Sequence, residues 1–91
     1  MQYVYLLKSL KVDRKYIGCT ADLKKRFDLH NKGLIKSTKS FVPWRVVYYE
    51  DFIDKIDAFK REKELKNEFT KKRHLLSRLE NSLKNLNGPR P

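Results

Sequence analysis

Within the first 19 residues, two short runs, Tyr3-Val4-Tyr5-Leu6-Leu7 and Lys15-Tyr16-Ile17-Gly18-Cys19, are rich in aromatic and β-branched side chains. A polar link around Val12-Asp13-Arg14 separates them. Such runs fit a pleated surface, so the chain is expected to begin with a β-hairpin. By strand alternation Tyr3, Tyr5 and Leu7 share one face, and Tyr16 and Gly18 share one on the partner strand. A glycine inside a strand signals the close approach of a backbone or a ligand. The remainder must cover the sheet this hairpin starts, and 91 residues suffice for one small domain.

Beyond the hairpin the chain reads as helix, loop, strand and further helices. Thr20 is placed to cap a helix over about Ala21 to Lys32, with Leu23 and Phe27 apolar at i, i+4 and Gly33 as its stop. Leu34 to Pro43 has no periodicity and reads as a loop carrying Lys36-Ser37-Thr38-Lys39-Ser40. Trp44 to Glu50 is a third strand. Asp54 is a cap for a helix from Lys55 to Lys66 with Ala58, Phe59 and Leu65 inward, and Thr70 a cap for another. In that last helix Leu76, Leu79, Leu83 and Leu86 form one stripe, which either packs on the domain or makes a homodimer seam. Two heptads are too few for an independent coiled coil. Asn87 to Pro91 is expected to fray. The fold class is α+β in the order ββαβαα.

Leu, Ile, Val and Phe number 26 of 91, enough for the chain to fold despite its charge. The 22 Lys and Arg exceed the 11 Asp and Glu to give +11, distributed as +8 over residues 1–49, −3 over 50–59 and +6 over 60–91. A charge of this sign points to phosphate partners. The longest unbroken apolar run, Tyr3 to Leu7, is too short for a bilayer, and no charged-then-apolar leader precedes it, so no membrane partner is expected. One cysteine makes no internal disulfide, and two histidines make no zinc cluster; a cytoplasmic, reducing setting is expected.

Three polar side chains stand out. Glu62 lies four residues from Ala58 and three from Phe59 and Leu65, on the apolar face, where a carboxylate needs a cation or several donors to stay ionised. A metal ion is one such cation, and a pair with Arg26 or a lysine is the alternative. Arg26 and His30 are i, i+4 and project from one side of the first helix. Guanidinium suits phosphate bidentately, whereas Lys24 and Lys25 act as hydrated point charges, and histidine titrates near neutral pH. Taken singly, both residues also fit an ordinary surface. A tyrosine such as Tyr16 helps remove a proton from water only where positive charge favours its phenolate.

Taken together, Tyr3-Val4-Tyr5, Tyr16-Ile17-Gly18-x-Thr20, Arg26-x-x-x-His30-Asn31 and Glu62-x-x-Leu65 resemble the GIY-YIG nuclease domain, over about Gln2 to Lys66. Lys36-Ser37-Thr38 and Pro43-Trp44 leading into Val46-Val47-Tyr48 support the likeness. It is closest to the small stand-alone branch, which is similar to the nuclease half of structure-specific junction resolvases. Tyr3 stands where the first motif's name has Gly, a change common in that branch.

The resemblance implies a three-stranded, mostly antiparallel sheet flanked by helices; with the leucine stripe and the terminal residues it gives a nuclease domain over 1–70, a C-terminal amphipathic helix packed on it over 71–86 and a tail over 87–91. It implies an endonuclease using Mg2+ or Mn2+ on nucleic acid, most naturally DNA, reading structure rather than sequence, in repair or recombination. By that likeness Tyr5 and Tyr16 border the scissile phosphate, with Tyr16 helping to activate water. Arg26 stabilises charge on the phosphate, His30 assists proton movement and Glu62 holds one divalent ion. Lys24, Lys25, Lys36, Ser37, Thr38 and Lys39 would contact the nucleic acid. Some members carry a lysine right after the second-motif glycine. Here that place is Cys19, and His30, Lys36 or Lys39 would have to supply the charge. The rival readings are a binding module with the same basic face that cuts nothing, and a small basic ribosome-associated protein.

Overall fold

The computed structural model describes residues 1–86, so the frayed-tail expectation for Asn87 to Pro91 falls outside the described residues. The hairpin forms as β1 (Gln2–Ser9) and β2 (Lys15–Thr20), antiparallel with Tyr5 opposite Gly18 and Leu7 opposite Tyr16. The third strand, β3 (Trp44–Phe52), pairs antiparallel with the other side of β1, giving the order β2-β1-β3. The sheet is thus wholly antiparallel. β3 runs two residues beyond the expected Glu50 because Gln2 and Tyr3 pair with Phe52 and Asp51. A register shift at Leu6/Leu7 pairs them with Tyr48 and Val46, so that Val47 and Tyr48 both pack on one core.

The sheet is covered on both faces, which is why β1, the central strand, is buried from Val4 to Leu7. On one face Tyr5, Leu7 and Trp44 are packed by Leu23 and Phe27 of α1 (Leu23–Asn31) and by Phe41 and Val42. On the other, Val4, Leu6 and Ile17 meet Ala58 and Leu65 of α2 (Lys55–Asn67), Leu75 of α3 (Phe69–Arg78) and Leu79. A short α4 (Glu80–Lys84) follows.

Local signals are right in kind and displaced in detail. Asp22, not Thr20, caps α1, its carboxylate accepting from the Lys25 backbone N–H at 3.1 Å. Thr20 instead accepts from the Asp22 N–H and shapes the turn before the cap. Gly33 has φ +73, the left-handed conformation that ends a helix without a Cβ penalty. The stretch that reads as a featureless loop contains one 3-10 turn, Lys39–Phe41. Asp54 does cap α2, accepting from the Ile56 N–H at 2.8 Å.

Phe59, expected inward, is half exposed. At about 100° per residue the core-facing direction of α2 is set by Ala58 and Leu65, which leaves Phe59 on a flank, and the small Ala58 lets the helix approach the sheet closely. Thr70 caps nothing: Glu68 both ends α2 and starts α3, so Thr70 already lies in the first turn. The single last helix is broken at Leu79, the C-cap of α3 and N-cap of α4. This break divides the leucine stripe between two helices. Leu79 is buried in the molecule's own core with Leu75, while Leu76 and Leu83 lean against that core from its edge. Leu86 follows α4, its carbonyl accepting from Arg45 Nη1 at 2.9 Å.

Leu75→Ala is expected to lower the unfolding free energy by about 2–5 kcal/mol without changing the sedimentation coefficient, as measured by urea denaturation and analytical ultracentrifugation.

Candidate active site

The residues singled out in the sequence converge around the β2 side of the Tyr5 face. The starting point is Gly18: a Cβ there would overlap the Oη and Cζ of Tyr5, so the bare backbone is what lets the Tyr5 ring lie across β2. That placement carries the Tyr5 hydroxyl to α1, where it shares a hydrogen bond of 2.8 Å with His30 Nε2. The other ring nitrogen, Nδ1, is 2.7 Å from the Thr38 hydroxyl. Tyr5, His30 and Thr38 are 2%, 0% and 0% exposed, so this chain of hydrogen bonds is sealed from solvent. Thr38 is held in turn by its carbonyl, which accepts from the Trp44 indole Nε1 at 3.0 Å.

Burial dominates the electrostatics. It pushes the Tyr5 phenol up to about 12, partly opposed by the neighbouring Arg26 guanidinium. It pulls His30 down to about 4, helped by the charge of Arg26. At neutral pH both are uncharged, and a neutral imidazole has one donor and one acceptor nitrogen, which Tyr5 and Thr38 occupy. Arg26, half-buried, is the cation next to this pair. Its Nε is buried without a hydrogen-bond partner, the only such side-chain atom among the described residues.

Tyr16 is the accessible member of the aromatic group, half-buried with its ring centroid 5.0 Å from that of His30 and 6.3 Å from that of Tyr5. Glu62 projects from the flank of α2 rather than into the core: its side chain is 24% exposed and pairs with Lys66 Nζ at 3.0 Å. It is nonetheless close enough for its charge to act on Tyr5. Lys66 Nζ also sits 5.9 Å from the Tyr16 ring centroid. The alternative reading of Glu62, a helix-edge carboxylate paired with a lysine, therefore describes the protein as it stands.

The structure thus brings Tyr5, Tyr16, Arg26, His30 and Glu62 together. Lys24, Lys25, Lys36, Ser37 and Lys39 are exposed on α1 and the loop after it. Thr38 is a correction: it is buried on His30 and unavailable to nucleic acid, because the 3-10 turn that starts at Lys39 folds its side chain inward. Sequence reasoning also misses Lys66. Its i, i+4 spacing from Glu62 is there to be read and indicates a shared flank, whereas nothing in the spacing of His30 and Thr38 signals their contact. Asn31 clamps the end of α1 to β3, donating to the Trp44 carbonyl at 3.0 Å and accepting from its N–H at 2.6 Å. Cys19 lies on the α2 face, receiving a hydrogen bond from Gln2 Nε2 at 3.3 Å.

A three-stranded antiparallel sheet with its hairpin motifs facing a helix that carries Arg26 and His30 defines a class. The model of the GIY-YIG catalytic domain matches residues 1–76, and the chain belongs to that family. Within it the chain falls among the UPF0213 proteins. It is 43% identical over 63 residues to UPF0213 protein CPE1444 of Clostridium perfringens, spanning 68% of this chain and 67% of that protein. It is 42% identical over 65 residues to UPF0213 protein SSP2268 of Staphylococcus saprophyticus, spanning 70% and 78%. It is 35% identical to UPF0213 protein spr1390 of Streptococcus pneumoniae, over 88% of this chain and 91% of that protein. No solved structure matches significantly. Among the described residues no helix is long and apolar enough to cross a membrane.

Two outcomes test the buried chain. Folded His30 takes up its proton only near pH 4, an unfolded histidine near 6.5. The unfolded state therefore binds more protons between these values, and stability falls as pH drops through that window. Urea unfolding from about pH 7 to about pH 5 should show this loss in the wild type and a smaller one in His30→Gln. Thr38→Val, which strips His30 Nδ1 of its partner, should cost about 1–3 kcal/mol, and Thr38→Ser should restore most of it.

Proposed function

We propose that the protein is a divalent-metal-dependent endonuclease that hydrolyses phosphodiester bonds in DNA, selecting structure rather than sequence, in repair or recombination. The observation that carries this reading is the unspent donor of Arg26. Every other buried side-chain polar atom among the described residues has a partner. A buried guanidinium N–H without one is what an arriving phosphate oxygen would satisfy. Tyr16 and Glu62, whose charges, like that of Arg26, act on Tyr5, would supply oxygen ligands nearby, and exposed Lys24, Lys25, Lys36 and Lys39 would supply charge for the flanking backbone.

In this reading the Tyr16 hydroxyl orients the attacking water and relays its proton, taking it up while passing its own to solvent, as the new P–O bond forms. Arg26 holds the charge that gathers on the phosphate oxygens while the bond to the 3′ oxygen breaks, and that oxygen leaves as a hydroxyl once protonated from solvent. Tyr5 is kept as a neutral phenol by its burial and fixes the position of Arg26 and Tyr16 from below. His30, with both nitrogens engaged, influences protons only through the Tyr5 hydroxyl. Among the described residues no three metal-ligating side chains cluster. The donor set still suits Mg2+ or Mn2+, because Mg2+ keeps several waters and is commonly bound through one or two carboxylates plus substrate phosphate. Glu62 would hold it once displaced from Lys66. When bound, the ion would polarise the phosphate and neutralise the leaving oxygen.

One observation favours a second reading. The Glu62–Lys66 pair, at 3.0 Å, satisfies the carboxylate without a metal, as a nucleic-acid-binding module that cuts nothing would have it. The two separate cleanly. As a nuclease, the protein should lose Mg2+-dependent nicking by at least about 100-fold in Glu62→Ala and in Tyr16→Phe, while both variants keep wild-type, salt-sensitive binding. Equal cleavage by wild type and Glu62→Ala, assayed on duplex, flap, junction and single-stranded substrates, would sink the nuclease reading. Absence of cleavage by the wild type would leave the binder.

A further inference from the structure

On the sheet face opposite Tyr5, between the hairpin and α3–α4, lies a groove of about 700 Å3 that plays no part in the chemistry above. Its floor is apolar. Phe69, Leu76 and Leu83 recur at seven-residue spacing and line it together, with Leu76 and Leu83 leaning on the core and Phe69 76% exposed at the groove's edge. Five of its lining residues are Lys or Arg and two are acidic. Asp13 sits between Lys8 and Lys15 at 3.9 and 3.6 Å, and Glu80 pairs with Lys84 at 3.1 Å. Among the described residues Lys72 and Arg73 have no acidic partner.

An exposed aromatic ring flanked by unpaired cations is the combination that takes single-stranded nucleic acid: a base stacks on the ring while the cations follow its backbone. A duplex has its bases already stacked and offers Phe69 no free π-face. The groove also adjoins the candidate site by two routes. Lys15 precedes Tyr16 on β2, the edge strand, so the two side chains leave that edge toward opposite faces. Phe69 follows three residues after Lys66, which stands over the Tyr16 ring. We infer that this groove binds a single-stranded DNA segment flanking the cut, with a base on Phe69 and phosphates on Lys72 and Arg73. The identification of the strand as a flank of the cut rests on the nuclease reading; the binding does not.

The test is fluorescence anisotropy of a labelled oligothymidylate and of a duplex of equal length, each titrated with the full chain. Phe69→Ala should weaken single-strand binding roughly tenfold or more and change duplex binding less than twofold. Because Phe69 is exposed, its thermal melt should match the wild type. Lys72→Glu combined with Arg73→Glu should weaken binding of both ligands and lower the salt slope by about two. Single-strand binding by Phe69→Ala within twofold of wild type would overturn the proposal. So would a wild-type dimer in sedimentation equilibrium that Phe69→Ala dissociates, since the groove would then hold a second copy. The two readings fail separately. Loss of single-strand binding in Phe69→Ala from a wild type that cuts nothing keeps the groove and removes the nuclease; Mg2+-dependent cutting with Phe69→Ala binding normally does the reverse.

Discussion

The Tyr5–His30–Thr38 chain is the constraint on which the rest of the candidate site depends. It ties β1 to α1 and α1 to the loop that follows, at 2.8 and 2.7 Å, across 25 and 8 residues of sequence. Three buried polar groups without partners would each cost free energy, whereas a chain with every member bonded converts the same groups into a device for specifying one arrangement. Its geometric condition is Gly18, because any larger residue would push the Tyr5 ring off β2 and move its hydroxyl away from His30. The Asn31 clamp on Trp44 and the Trp44 indole bond to Thr38 close the loop from the β3 side. The half-buried Tyr16 is therefore presented by a rigid support.

The second constraint is the rotation of α2 about its own axis. Ala58 and Leu65 face the sheet, which puts Glu62 and Lys66 on the flank toward β2 and Arg61 on the flank toward β3. There Arg61 meets Glu50 at 3.0 Å and Glu64 at 3.4 Å, and Lys71 meets Glu64 at 3.1 Å. Glu50 and Glu64 are thus taken up by cations on one side of the helix. Such partly exposed pairs add little stability individually. Their consequence lies in distribution: exposed positive charge is carried by Lys24, Lys25 and Lys32 at α1 and by Lys36 and Lys39 in the loop after it.

The hairpin, the helix with Arg26 and His30 on one side, the third strand and the Asp54-capped helix are all legible in the sequence, because each rests on short-range rules of alternation, capping and spacing. Helix ends are less so. Asp22 and Thr20 are both good caps two residues apart, and only the turn geometry decides between them. Phe59 is misplaced by periodicity because that gives a face about 100° wide, and which part of it meets the sheet depends on Ala58 allowing close approach. The break at Leu79 and the burial of Thr38 are illegible for a different reason, since both are set by contacts between segments with no local signature. In the site, residue types at i, i+4 bring Arg26 and His30 together correctly, but whether a side chain is sealed or exposed belongs to the tertiary structure.

Sealing and exposure are what separate the two motif tyrosines. Tyr5 and Tyr16 occupy the same sheet face on adjacent strands, their ring centroids 6.3 Å apart. Tyr5 is sealed, and burial drives its phenol up to about 12, so at neutral pH it exchanges hydrogen bonds but carries no charge. The same burial, together with the charge of Arg26, keeps His30 neutral. A positive imidazolium inside would repel Arg26 and compete with it for an incoming anion. With the interior uncharged and Lys66 paired with Glu62, Arg26 is the cation left beside this face. An uncharged interior beside a guanidinium that has no acidic partner among the described residues is an arrangement that favours an anion over a neutral ligand, and it originates in where one glycine allows one tyrosine to lie.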